Sequence, residues 1–340
     1  MKIIFYLNSP TSYQFDFFNN LIKKNIKVFV IYQKKAIKNF NWKLKSHKWI
    51  YFLNNESPYN QINRIIQKIN PYAVIIGGYK MNYDKIFYQS KKFLLFYWLE
   101  RLEKKFFLKN LIRYFYIKKK IKNVDGILAI GKDAKNYYKK FHNKVLNLPY
   151  SIEIEKYDIK KKNYGLNFLF VGQLIRRKGI DKLINIIKNE KLNNVNFTIC
   201  GAGPYKKKIK NIKKNNVKYL NFLNSKNLSK VYAKNSILVL PSLFDGWAVV
   251  IIEAMAKGLA IISNNKVGAF KNYIKHGING REIENNEDSI IKQINYFINN
   301  KNMIKKYGLI NYYKVNENLS NSKLAAMRLK NFLIMNNNIK

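Results

Sequence analysis

The chain has 340 residues, 47% of them hydrophobic and 15% aromatic. That is too long for one comfortable core and too apolar for a disordered chain, so two domains of roughly 150 residues each are expected. A net charge of +45 would ordinarily point to nucleic acid or anionic lipid, yet Lys, Asn, Ile and Tyr crowd every part of the sequence, and such a bias can supply much of the lysine.

The one cysteine, Cys200, excludes an intrachain disulfide and suits a reducing, cytoplasmic compartment. No apolar run approaches the ~20 residues that span a bilayer, and MKIIFYLNSP lacks the apolar core of a signal peptide, so a protein integral to the membrane is not expected. Met1 to Leu7 reads as a first strand with Asn8-Ser9-Pro10-Thr11-Ser12 as the loop at its carboxyl end. Tyr13 to Asn25 takes helical spacing through Phe17, Phe18, Leu21 and Ile22, and Ser12 or Thr11 reads equally as the cap of that helix. Strands follow at Lys27 to Tyr32 and Trp49 to Leu53, then a helix from about Tyr59 to Lys68. Pro71 to Ile76 is a buried strand that runs into Gly77-Gly78-Tyr79. Phe93 to Trp98 is another, with Glu100, Arg101 and Glu103 just past it.

From Glu100 to Lys122 nine basic residues stand against two acids. Arg101, Lys105, Lys109 and Arg113 recur every four residues, while Leu102, Phe106, Leu111, Tyr114, Phe115 and Ile121 supply an apolar side. A basic amphipathic helix with interleaved aromatics lies on an anionic membrane surface; the same pattern also reads as a solvated face of a lysine-rich protein.

Val124 to Ile130 is the next strand, and Gly131-Lys132-Asp133 opens a helix to about Phe141. The polar, turn-rich run from Leu146 through Pro149 and Glu153 into KYDIKKKNYG marks a boundary between domains, placed after residue 150. Leu166 to Val171 is a strand, GQLIRRKG its loop, and Ile180 to Ile187 a helix. Arg176, Arg177 and Lys178 thus stand together at a strand end, where cations would neutralise a diphosphate and the growing charge of a leaving group. Alone, the run would be a solvated loop. Phe197 to Cys200 is followed by Gly201-Ala202-Gly203-Pro204. The third glycine of a dinucleotide fingerprint is absent, because Lys206 occupies its position, so Gly201 and Gly203 are read as a tight turn near a nucleotide. Val217 to Phe222 is a strand and Leu228 to Lys234 a helix, and amphipathic helices from about Asp288 onward end the chain.

The richest stretch is Ser236 to Ser263. A buried strand, Ile237 to Leu240, ends at Pro241-Ser242; a loop, Leu243 to Trp247, enters a helix that stops at Gly258, and a second strand runs from Leu259 to Ile262. In open α/β sheets ligands bind at the carboxyl ends of strands, where Asp245 sits. Asp245 and Glu253 are eight residues apart, and the amides around Ala248, Val249 and Val250 lie between them at a helix N-terminus suited to a phosphate. Each carboxylate suits a pair of sugar hydroxyls, one ribose and one hexose; singly, each acid reads as a helix-surface or turn residue.

The string Asp245-Gly246-Trp247-Ala248 followed by Glu253-Ala254-Met255-Ala256-Lys257-Gly258 resembles the signature of the retaining family 4 glycosyltransferases of the GT-B fold, of the bacterial surface-polysaccharide type. The usual form is an acid, Gly, aromatic, Gly, apolar residues and then Glu-Ala-Met-Ala-x-Gly. This chain has Asp245 for the commoner Glu and Ala248 for the second Gly. The resemblance implies an α/β fold of two Rossmann-like domains facing a cleft, an acceptor domain at 1–150, a nucleotide-sugar domain at 151–310 and a helical segment at 311–340 that crosses back to the first domain. It places a lysine before the loop glycine, matching Lys178, and often an Arg after Gly172, where this chain has Gln173 and where Arg177 supplies the charge. The first loop of such enzymes faces the cleft, which makes Asn8, Ser12, Tyr13 and Asp16 acceptor candidates. The family's acceptor-side histidine has no counterpart among His47, His142 and His276, and Glu100 is the nearest polar substitute.

The implied function is a retaining hexosyltransferase that moves a sugar from a nucleotide diphosphate sugar, a UDP-sugar by expectation, to a glycan or lipid-linked glycan in polysaccharide biosynthesis. Asp245, Arg177, Lys178 and Glu100 are the expected catalytic residues. Glu253, Gly172, Gln173, Gly201, Gly203, Trp247, Ala248, Val249 and Val250 are expected to hold the donor, with no metal and no nucleic acid. The expected location is cytoplasmic, peripheral on the inner face of the plasma membrane through residues 100–122. A sugar-nucleotide epimerase or phosphorylase of the same fold is the rival enzyme, and a basic membrane- or nucleic-acid-binding protein the rival outside enzymes.

Overall fold

The structure, a computed structural model, describes residues 1–34, 48–54, 57–89, 92–103, 107–189, 192, 194–316 and 321–337. The chain divides into two compact units, Met1–Glu153 with Ser322–Lys340, and Ile154–Asn321. The sequence places the boundaries after residues 150 and 310; the contacts place them at 153 and 321.

The first unit runs β1 (Lys2–Leu7), α1 (Ser12–Ile22), β2 (Lys27–Tyr32), β3 (Ile50–Phe52), α2 (Pro58–Ile69), β4 (Ala73–Gly77), α3 (Lys85–Tyr88), β5 (Leu94–Glu100), α4 (Phe107–Ile121), β6 (Gly126–Ile130), α5 (Lys132–Tyr138) and β7 (Val145–Asn147). Its described strands form one sheet in the order β3-β2-β1-β4-β5-β6-β7, with every pairing parallel. Runs such as AVIIG and GILAI are apolar at every position because both faces of a parallel sheet are covered. Ile4, Tyr6, Ile76, Tyr97 and Ile127 lie in one core with Ile117 and Ile121 of α4. Local chemistry sets the helix ends: Pro58 opens α2, and Asn70 closes it in the left-handed region at φ 46°.

The second unit runs β8 (Asn167–Val171), α6 (Ile180–Asn189), β9 (Asn196–Cys200), α7 (Lys206–Lys210), β10 (Val217–Leu220), α8 (Ser225–Lys234), β11 (Ile237–Val239), α9 (Val249–Ala256), β12 (Ala260–Ser263), α10 (Gly268–Tyr273), β13 (Gly280–Glu282), α11 (Glu287–Asn299) and α12 (Lys301–Asn316). Its sheet has the order β10-β9-β8-β11-β12-β13, again all parallel. The last helix, α13 (Ser322–Asn337), belongs to the first unit. It packs on α1, and the Tyr72 hydroxyl donates to the Leu333 carbonyl at 3.1 Å.

Each sheet starts in its middle, winds outward one way, then returns and winds the other way. That is the doubly wound order, and the reversal falls between β1 and β4 in the first unit and between β8 and β11 in the second. β5 is longer than the sequence suggests, so Glu100 is its last residue rather than a loop residue beyond it. Of the three histidines, His142 bonds to the Val124 carbonyl at 3.0 Å, His276 accepts the Glu282 amide at 3.0 Å, and His47 lies outside the described residues.

Candidate functional site

β8 and β11 are neighbours through Ile237 with Phe168 and Leu238 with Leu169, so the loops that leave their carboxyl ends emerge side by side. The loop after β8 tightens into a single turn over Arg176–Lys178 and ends at Gly179 with φ 71°. A Cβ on Gly179 would come within 2.0 Å of the Pro241 carbonyl oxygen, so only glycine permits this approach. Three bonds then join the two loops. The Leu243 amide donates to the Arg177 carbonyl at 2.8 Å, the Arg177 guanidinium donates to the Phe244 carbonyl at 2.8 Å, and the Lys178 ammonium pairs with the Asp245 carboxylate. Only 14% and 13% of those two side chains are exposed, which strengthens their attraction relative to a surface pair.

Asp245 is fixed from its other side as well. Its amide donates to the Lys266 carbonyl at 3.2 Å, its carbonyl accepts from Gly268 at 3.0 Å, and its carboxylate accepts the Trp247 amide at 3.4 Å. The Trp247 ring is buried, edge-on to Tyr273 at 5.6 Å. Its side chain therefore belongs to the core, and residue 247 faces the loop through its main chain. Ala248 precedes α9 with φ 67° and ψ 78°, a left-handed conformation that costs an alanine roughly 1 kcal/mol. The Ile251 amide is committed to the Ala248 carbonyl at 3.1 Å, and the amides of Val249 and Val250 precede it, in the turn where helices leave donors unpaired. Ser242 Oγ and Trp247 Nε1 are buried in the same loop without a hydrogen-bond partner. Backbone strain and two orphaned polar atoms within seven residues mark a segment that is not shaped for stability alone.

Glu253 projects from α9 and is half-buried. The buried Tyr232 on α8 donates its hydroxyl to Glu253 Oε2 at 2.8 Å. Burial, reinforced by the Glu253 charge, holds the Tyr232 hydroxyl far above its usual pKa, so it stays a donor. Burial and then Glu253 also raise the Cys200 thiol to about 11, which keeps Cys200 a neutral thiol at the end of β9. Tyr232 is a neighbour of the candidate site that sequence reasoning missed; it sits in a helix read only for its period, and nothing local couples residues 232 and 253.

The turn after β9 joins the same belt. The Gly172 amide donates to the Cys200 carbonyl at 3.0 Å and the Leu174 amide to the Ala202 carbonyl at 2.9 Å. A Cβ on Gly201, at φ 153°, would stand 1.9 Å from the Gly172 carbonyl oxygen. Gly172, Gln173, Gly201 and Gly203 are thereby brought to one edge with Arg177, Lys178 and Asp245.

The acceptor candidates lie in the first unit and do not all converge. The Tyr13 ring is 4.8 Å from Tyr150, and the Tyr150 hydroxyl, held far above its usual pKa by burial and then by Glu100, hydrogen-bonds both Glu100 and Tyr13. Asp16 instead accepts the Glu153 amide at 3.2 Å, and Glu153 accepts from Asn20 at 2.6 Å and from Ser322 at 3.0 Å, so Asp16 helps tie the chain's exit and return. Asn8 is exposed and Ser12 opens α1 behind its cap, Thr11. Among the described residues no three His, Cys, Asp or Glu side chains lie together as metal ligands would.

The family model of glycosyl transferases group 1 matches residues 151–312. An uncharacterized glycosyltransferase of Methanocaldococcus jannaschii is 33% identical over 210 residues, which are 59% of this chain and 58% of that protein. The chain thus spans little more than half the length of that relative. Among solved structures, sucrose-phosphate synthase from Thermosynechococcus elongatus is similar with a TM-score of 0.77, 13% identity and 100% of both chains covered. Anabaena HepE in complex with UDP is similar with a TM-score of 0.76, 15% identity, and 98% of this chain and 100% of that chain covered. Residues 151–312, which carry every loop described at the second sheet, are thus similar to the group 1 glycosyl transferases, and the two doubly wound sheets are the Rossmann-like halves of a GT-B fold.

Proposed function

We propose that the chain is a retaining hexosyltransferase that moves a sugar from a nucleotide diphosphate sugar, a UDP-sugar, to a glycan or lipid-linked glycan in cell-surface polysaccharide synthesis on the cytoplasmic side. The observation that carries this reading is the meeting of Arg177, Lys178 and Asp245 at the point where the second sheet reverses its strand order. The similar Anabaena protein was solved with UDP and with UDP-glucose, which supports the class of donor.

In the proposed mechanism the diphosphate competes for the Lys178 ammonium and draws it from Asp245. The freed Asp245 carboxylate then accepts hydroxyls of the donor sugar. Arg177 and Lys178 stabilise the charge that grows on the departing diphosphate, aided by the first amides of α9. Glu253 accepts the ribose hydroxyls while Tyr232 holds its second oxygen. On the first unit, Glu100 and Tyr13 are assigned to the acceptor, with Asn8 and Ser12 at the first loop.

The test is the melting of the purified chain with UDP, GDP, ADP and CMP sugars, beside Glu253→Ala. A ligand at about 100 times its dissociation constant stabilises by roughly 2.7 kcal/mol. A shift with one nucleotide in the native chain but not in Glu253→Ala, followed by transfer of the labelled sugar to an acceptor with its anomeric configuration kept, is the expected result. No shift with any nucleotide sugar sinks the reading; inversion of the anomeric centre removes retention from it.

A further inference from the structure

α4 carries two faces that its sequence does not separate. Ile117 and Ile121 are fully buried in the first unit's core, and Lys120 is committed to Asp84 and to the Tyr79 carbonyl at 3.1 Å. The opposite face is open. Leu111 is 42% exposed, Ile112 66%, Tyr114 37%, Phe115 58% and Tyr116 44%. Lys118, Lys119 and Lys122 follow on the same side and are exposed. At 100° per residue, residues 111, 112, 115, 118, 119 and 122 share one half of the helix. The apolar side chains fill its N-terminal part and the cations its C-terminal part.

This arrangement differs from the even basic stripe read from the sequence. Arg101 precedes the helix and pairs with Asp133 at 3.2 Å, Arg113 donates to the Glu103 carbonyl, and Lys104, Lys105 and Phe106 lie outside the described residues. Ile121 is core rather than surface.

We propose that the exposed face of α4 docks on an anionic lipid bilayer, with Ile112 and Phe115 entering the acyl boundary and Lys118, Lys119 and Lys122 on the phosphate headgroups. Charge decides the occupant. Residues 107–122 contain no acid, so a second copy of the same face would bring no opposite charge to Lys118, Lys119 and Lys122. A polyanion alone would leave the aliphatic Leu111 and Ile112 in water, whereas an interface rich in anionic headgroups satisfies both halves of the face at once. Among the described residues no helix is long and apolar enough to cross a membrane, so the contact is interfacial. The docking stands whether or not the second unit binds a nucleotide sugar.

The test is co-sedimentation of the whole chain with vesicles of phosphatidylcholine alone and of phosphatidylcholine mixed with phosphatidylglycerol. The wild type is expected to pellet with the mixed vesicles only. Ile112→Ser with Phe115→Ser should weaken that partition on the order of ten-fold per side chain. Lys118→Glu with Lys119→Glu should weaken it as well, and Tyr313→Ser, an exposed aromatic of the second unit, should leave it unchanged. All three changes are at exposed positions, and equal melting temperatures will show that the variants fold. Binding of the serine double variant equal to wild type would reduce the effect to adsorption of a cationic protein and overturn the proposal. Failure of the wild type to pellet overturns it too. A wild type that sediments as a dimer without lipid, and a serine variant that sediments as a monomer, would assign the face to a second copy instead.

Discussion

The two units share one winding order and use its reversal point differently. In the first unit the residues beside β1 and β4 are knitted into a closed polar network. The Gln33 amide donates to the Tyr6 hydroxyl at 2.8 Å and to the Asn82 carbonyl at 3.0 Å. Tyr97 donates to Asp84 at 2.9 Å, shares a hydrogen bond with Tyr88, and meets Lys120 across the same carboxylate. Burial holds the hydroxyls of Tyr6, Tyr88 and Tyr97 far above their ordinary pKa, so these groups remain neutral adhesives. In the second unit the corresponding point carries a partly exposed ion pair, an alanine in the left-handed region and two unpartnered polar atoms. Winding order therefore decides where a site can form, and the chemistry of the loops decides whether it does.

The largest effect expected from this contrast is structural. Asp84→Ala strands the Lys120 ammonium and the Tyr97 hydroxyl in a buried place and should cost about 3 to 5 kcal/mol, read from the urea midpoint. Its nucleotide-induced thermal shift should persist. If instead the midpoint holds and the shift disappears, the first unit's network is a site and the contrast fails.

Lys178→Met should do the opposite. We expect kcat to fall on the order of 100- to 1,000-fold, as when one charge-stabilising donor is removed, while the urea midpoint moves less than in Asp84→Ala. A normal kcat would remove Lys178 from the proposed machinery. Tyr232→Phe takes one hydrogen bond from the Glu253 carboxylate, worth about 1.5 kcal/mol, or roughly a ten-fold rise in donor KM with kcat kept. A fall in kcat without a change in KM would place Glu253 in the chemistry rather than on the ribose.

Ala248→Gly is the smallest and the most direct test of strain. Relief of the left-handed alanine should stabilise the chain by about 1 kcal/mol or less, with donor binding retained. Destabilisation would mean that the Ala248 methyl group packs better than its backbone suffers.

Much of the fold was legible. Apolar runs such as VFVIY, AVIIG and GILAI announced parallel strands, Gly258 announced a helix end, and the Asp245 to Glu253 spacing marked the second unit's candidate site. These are local signals, each carried within a few residues. Short strands with weak runs, β7 and β13, were not legible, because their pairing partners rather than their own composition hold them in place. Glu100 was placed just past a strand read over Phe93 to Trp98, yet β5 pairs through Glu100 with Ile130 of β6 and is prolonged by that pairing.

By itself the sequence determined an open α/β class, two units, the acid-bearing loop and a run of cations at another strand end, since periodicity, turn residues and charge are properties of neighbours along the chain. Only the tertiary structure decided that Lys178 pairs with Asp245 across 67 residues, that Tyr232 holds Glu253, and that Trp247 turns inward. It also decided which half of α4 meets the core. Those outcomes depend on which strands lie side by side and how loops close over their ends, and such contacts between distant residues leave no local pattern to read.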